Sequence, residues 1–185
     1  TVPSATDVTD SKTVLVRAEK RGYNTVEQTC TLTINPVEIE LTADSDSKPY
    51  NGKALTANGY KISKGKFVGQ EGLESVTVEG SQTEVGSSDN KITNYELKSN
   101  TKSDNYNITT EKGTLTITPK KVTIKAADQT IQVGKSVPNP YPVTKTGVVD
   151  GETPDFSYTL TIDPATVDTS KTGRYTITPS GETRQ

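Results

Sequence analysis

Thr31-Leu-Thr-Ile-Asn-Pro36, followed at once by Val37-Glu-Ile-Glu-Leu-Thr-Ala43, decides the reading of the fold. Apolar residues take every second position in both pieces, and threonine or glutamate fills the gaps. That period of two is the mark of a strand with one dry face and one wet face. Proline lacks the amide that a sheet ladder needs, so Pro36 belongs at a strand end. The phrase returns as Thr114-Leu-Thr-Ile-Thr-Pro119, ahead of Val122-Thr-Ile-Lys-Ala-Ala127. Pro36 and Pro119 lie 83 residues apart, a sensible length for one small module. The spacing predicts repeated β units joined almost strand to strand. Residues 1–36 read as the closing part of one unit and 37–119 as a complete unit. Residues 120–185 read as a third unit that lacks its last strands.

Alternation continues outside the repeated phrase. Val26, Gln28, Cys30, Leu32 and Ile34 share one face, opposite Thr25, Glu27, Thr29, Thr31 and Thr33. Val76 and Val78 form a short strand that Gly80 ends. Phe156, Tyr158, Leu160 and Ile162 make another face, and Tyr175 with Ile177 a further one. Asn51-Gly52, Glu71-Gly72, Lys112-Gly113, Asp150-Gly151 and Thr172-Gly173 are read as turns. No helical stripe persists over three turns. A short helix finds room around Lys64–Gly72 or near Gly147–Thr153.

Composition agrees with thin β layers. Threonine supplies 32 of the 185 residues, and valine outnumbers leucine two to one. Such β-branched side chains suit a pleated, half-buried surface. Val, Ile, Leu and Phe together make only 20% of the chain, so several slim cores fit better than one large one. The net charge of −2, without a basic block, argues against nucleic acid as a partner. No apolar run reaches the roughly 20 residues needed to span a bilayer. No leader-like start is present, so the chain reads as an internal piece of an exported protein.

The middle unit carries Tyr50-Asn-Gly52, Leu55, Gly59-Tyr60, Val78-Glu-Gly-Ser-Gln-Thr-Glu-Val-Gly86, Asn90, Asn105-Tyr106 and Gly113-Thr-Leu-Thr-Ile117. This pattern resembles the MBG-type repeat of bacterial cell-surface proteins and adhesins. Gly147-Val-Val-Asp-Gly-Glu-Thr153 with Gly173-Arg-Tyr-Thr-Ile-Thr-Pro179 is similar to a variant of it. Val16-Arg-Ala18 with Gly22-Tyr-Asn-Thr25 is similar to its closing half. The resemblance implies a mainly β chain of elongated tandem small β-sheet modules, β-grasp-like or Ig-like, with little helix. It also implies a place on an extracellular bacterial surface.

The residue inventory excludes much chemistry. With no His, a His-based catalytic triad is impossible, as is a thiolate–imidazole metal cluster. One Cys cannot build a disulfide framework, and Cys30 is expected to be a small buried hydrophobe. Adjacent Ser-Lys pairs such as Ser47-Lys48 and Ser63-Lys64 are read as solvated. Asp44-Ser-Asp46 and Asp150-Gly-Glu152 are too sparse for a calcium loop and are read as turns or strand ends. No cofactor, metal or catalytic residue is expected. Tyr60, Tyr95, Tyr141 and Tyr158 are the candidates for stacking on a sugar, although tyrosine also packs well at a sheet edge with its hydroxyl wet. The function expected is that of stalk or spacer repeats, with no enzyme activity. The alternative is a module that binds host glycans, mucin or another host protein. The neighbouring modules are the expected partners, and the incomplete ends predict head-to-tail self-association by strand addition.

Overall fold

A computed structural model describes residues 4–181 of the chain. It is mainly β, as the alternation predicts. The backbone divides into two compact units, Thr1–Lys48 with Ala54–Ile117, and Pro49–Lys53 with Thr118–Gln185.

The first unit opens on a one-turn 3-10 helix, Val8–Asp10. Strands β1 (Lys12–Ala18) and β2 (Val26–Leu32) then pair as an antiparallel ribbon. Next come β3 (Val37–Ala43), β4 (Asp46–Pro49), β5 (Tyr60–Lys64), β6 (Leu73–Glu79) and the long β7 (Gly86–Leu97). A second 3-10 turn, Ser103–Asn105, leads into β8 (Tyr106–Glu111) and β9 (Gly113–Thr118). One sheet has the order β5-β3-β8, and its β3–β8 pair is parallel. The other has the order β4-β9-β7-β6. The first half of β7, residues 86–90, pairs with β9, and its second half pairs with β6.

The alternating residues of β3 become the core. Ile39, Leu41 and Tyr106 form a buried cluster, flanked by Phe67 and Leu73, by Ile92 and Tyr95 of β7, and by Ile108. Leu115 and Ile117 of β9 are 0% and 1% exposed. Each such side chain contributes about 1.5–3 kcal/mol by leaving water. Lys112-Gly113 is not the turn that the sequence predicts. The chain passes straight from β8 to β9 there and changes sheets. Glycine is needed for closeness instead, because a Cβ on Gly113 would lie 2.2 Å from the Asp44 carbonyl oxygen and 2.5 Å from that of Ala43.

The second unit holds β10 (Thr123–Ala126) paired with β11 (Val143–Thr146), and β12 (Thr159–Asp163) paired with β13 (Thr176–Ser180), both antiparallel. Its first pairing copies that of β3 and β5. Ala43 faces Tyr60, and 83 positions on Ala126 faces Val143. The Asp44 amide donates to the Gly59 carbonyl at 3.0 Å, and 83 positions on the Ala127 amide donates to that of Pro142 at 3.0 Å. Burial does not copy across. Ile39, Leu41 and Ala43 are buried, whereas Val122, Ile124 and Ala126 are only half-buried. Among the described residues of the second unit, none is fully buried.

Two further expectations are corrected. Cys30 is exposed, not buried. The β1–β2 ribbon forms a sheet of two strands only, and Val16 and Val26 on the same face as Cys30 are exposed too. The alternation holds along the ribbon, but no layer covers it. Residues 65–72 and 147–153 are loops and turns rather than helices. Gly65 and Gly147 there hold φ of +74° and +91°, which interrupts a right-handed helix.

Candidate functional site: an open cleft in the second unit

The four candidate tyrosines do not converge. Tyr60 begins β5 and is 39% exposed. Tyr95 lies on β7, in the other sheet of the first unit, half-buried against the core. Tyr158 sits half-buried just ahead of β12. Tyr141 alone among them lines a cleft.

That cleft has a volume of about 530 Å³ and lies wholly within the second unit. Residues 129–133 make one border and 171–175 another, with Ile162 of β12 and Ile177 of β13 between. These two isoleucines face each other across the ladder, so both contribute to one apolar surface. At one place the borders are tied, where the Gly134 amide donates to the Thr169 carbonyl at 2.8 Å. Ile131 and Val133 remain exposed at the mouth.

A small polar knot holds the loop ahead of β13. The Asp168 carboxylate accepts from the Ser170 hydroxyl at 2.6 Å and the Ser170 amide at 3.0 Å, and Lys171 lies 3.3 Å away. The Ser170 hydrogen bonds, with Lys171 helping, hold Asp168 below the ordinary carboxylate range. The Tyr175 hydroxyl accepts from the Asp168 amide at 3.0 Å. Tyr175 therefore sets the loop's shape and faces the cleft together with Tyr141. The sequence placed Tyr175 on a strand face without a role. Only its spacing after Gly173 marked it.

The cleft has apolar walls and mixed charge from Asp168, Lys171 and Arg174. The carboxylates of the two acidic turns go elsewhere. The Glu152 carboxylate accepts from the Tyr50 hydroxyl at 2.6 Å, and neither acidic turn lines the cleft. Among the described residues, no group of three or more His, Cys, Asp or Glu side chains could hold a metal ion. No helix among them is long and apolar enough to cross a membrane. Comparison with protein families, with curated proteins and with solved structures finds no match for the chain.

Proposed function

We propose that the chain is a structural spacer, a run of β repeat units in the stalk of a bacterial extracellular surface protein. The observation that carries this reading is the recurrence at 83 residues. It appears in the sequence around Pro36 and Pro119, and in the pairing of Ala43 with Tyr60 and of Ala126 with Val143. A chain assembled from repeated units gains stability from each unit and from nearest neighbours, and extends as units are added. Its surface need only be polar, and the wet faces of threonine, lysine and glutamate supply that. The MBG-type resemblance supports the same reading.

Small-angle scattering tests it. The expected radius of gyration is well above the roughly 16 Å of a single 185-residue globule. A value near 16 Å would overturn the spacer reading. A second reading, a module for host glycans, draws on Tyr141 at the cleft. It predicts glycan-array binding that Tyr141→Ala removes, and silence on the array would dismiss it.

A further inference from the structure

The first unit shows what lies between β4 and residues 86–90 of β7. It is β9, whose Leu115 and Ile117 are sealed in the core. The second unit has a segment at the position of each neighbour of that strand, neither of them paired as a strand. Residues 129–132 follow β4 by 83 positions. Ile162 faces Ile177 as Val78 faces Ile92, and counting back from Ile177 sets residues 171–175 at the places of 86–90. Among the described residues, no strand of the second unit stands where β9 stands in the first. Residues 129–132 accordingly join no sheet, although β4 does. These same two segments border the cleft of about 530 Å³, and Ile162 and Ile177 line it.

We propose that the cleft is an acceptor slot for one added β strand of the β9 type, supplied from outside the two units. The slot offers backbone donors and acceptors along residues 129–131 and 171–175, and an apolar surface for alternate side chains; the Gln132 carbonyl already accepts from the Lys135 amide at 3.0 Å. The occupant is an uncharged extended peptide with aliphatic residues at every second position and threonine or serine between. Its first residue is glycine. In the first unit, a side chain at Gly113 would run into the carbonyls of Ala43 and Asp44. The matching backbone in the second unit belongs to Ala126 and Ala127. That requirement also argues against a second copy of this chain as donor. Its matching segment, Cys30-Thr-Leu-Thr-Ile34, carries cysteine where glycine is needed. The inference rests on the 83-residue recurrence at one border and on the matched Ile162–Ile177 pairing at the other, not on the spacer role, so a compact result from scattering leaves it standing.

The test is a titration of fluorescently labelled synthetic peptide Gly113–Pro119 into the full chain, followed by anisotropy. Saturable one-to-one binding is expected. Leu115→Asp in the peptide is expected to weaken it by roughly 100-fold, the worth of one buried leucine. Gly113→Val in the peptide is expected to weaken it as well. These changes need no folding of the protein. In the protein, Ile177→Lys is expected to abolish binding. Ile131→Asp, at a side chain already 39% exposed, is expected to weaken it without loss of the fold. Hydrogen exchange should slow at residues 129–131 and 171–175 when peptide is present. No saturable binding at peptide concentrations on the order of 1 mM would overturn the proposal. So would equal binding of the Leu115→Asp peptide. Binding of glycan at Tyr141 without binding of peptide would likewise overturn it. Self-association of the chain that the peptide displaces would assign Cys30–Ile34 of a second copy as the occupant and overturn the glycine requirement.

Discussion

Asn90 shows how much a single polar side chain can hold in a thin β unit. It is fully buried, and its Nδ2 donates to the carbonyls of Asp44 and Ala57, each at 2.8 Å. Gly80 makes the room, since a Cβ there would lie 2.4 Å from the Asn90 side-chain oxygen. Asn90→Ala would strand two carbonyl acceptors, and about 1–3 kcal/mol of stability is expected to go with them in urea melts of the chain. Tyr106 titrates above the ordinary value of 10.0. Burial is the larger cause, and its hydroxyl also donates to the Glu71 carboxylate. The folded state thus holds the Tyr106 proton more tightly than the unfolded state. The stability this contributes is complete below pH 10 and is lost as pH rises through the folded value. Glu71→Gln should bring the phenol midpoint down, as read by absorbance. Asp7 moves the other way, held low first by its hydrogen bond to Lys102 and next by Asn105. Its contribution is present above pH 3.8 and lost as pH falls through the depressed value. Lys102→Ala should raise the Asp7 midpoint in an NMR titration.

At the scale of elements, strict alternation in the sequence located β2, β3, β6, β9 and β10, because each carries aliphatic residues at alternate positions of one face, covered or not. The long β7 escaped that test. Its inward positions in the half beside β9 are Ser88 and Asn90, polar residues that the packing nevertheless covers. β4 and β5 are short, polar and exposed over most of their length, so nothing in their own residues required a strand. The sequence also could not tell a covered apolar face from an uncovered one. Leu32 and Leu115 occupy the same place in the repeated phrase, yet Leu115 is buried and Leu32 only half-buried in its ribbon. Leu115→Ala is expected to cost about 2–5 kcal/mol and Leu32→Ala less than half of that, by urea denaturation. The same ribbon predicts that Cys30 reacts with a thiol reagent in the native state at the rate of a free cysteine. A rate that rises only on unfolding would show that a layer covers it. The cleft was legible only in part. Alternation put Ile162, Tyr175 and Ile177 on strand faces, but nothing in the sequence marked residues 129–133 or the Asp168 knot.

The whole molecule joins a unit with a sealed core to a unit without one, and this should be visible in how it unfolds. In the first unit, Ile39, Leu41, Leu115 and Ile117 are almost fully withdrawn from water. In the second, the matching aliphatics of β10 stay half-buried and the Ile162–Ile177 surface faces an open cleft. Two-state behaviour requires that all parts share one cooperative core, and the described residues of the second unit offer little for such a core. Urea or heat is therefore expected to open the second unit first. Exchange at β10–β13 amides should run well ahead of exchange at β3, β7 and β9. Filling the slot should change the order. A bound strand that brought Ile162 and Ile177 out of water would stabilise the second unit in proportion to peptide concentration over its dissociation constant, and leave the first unit unmoved. Segment-resolved hydrogen exchange over a peptide series checks both halves of this. Simultaneous opening of the two units without peptide would show that they share one core. Equal protection of both by the peptide would place its site outside the cleft.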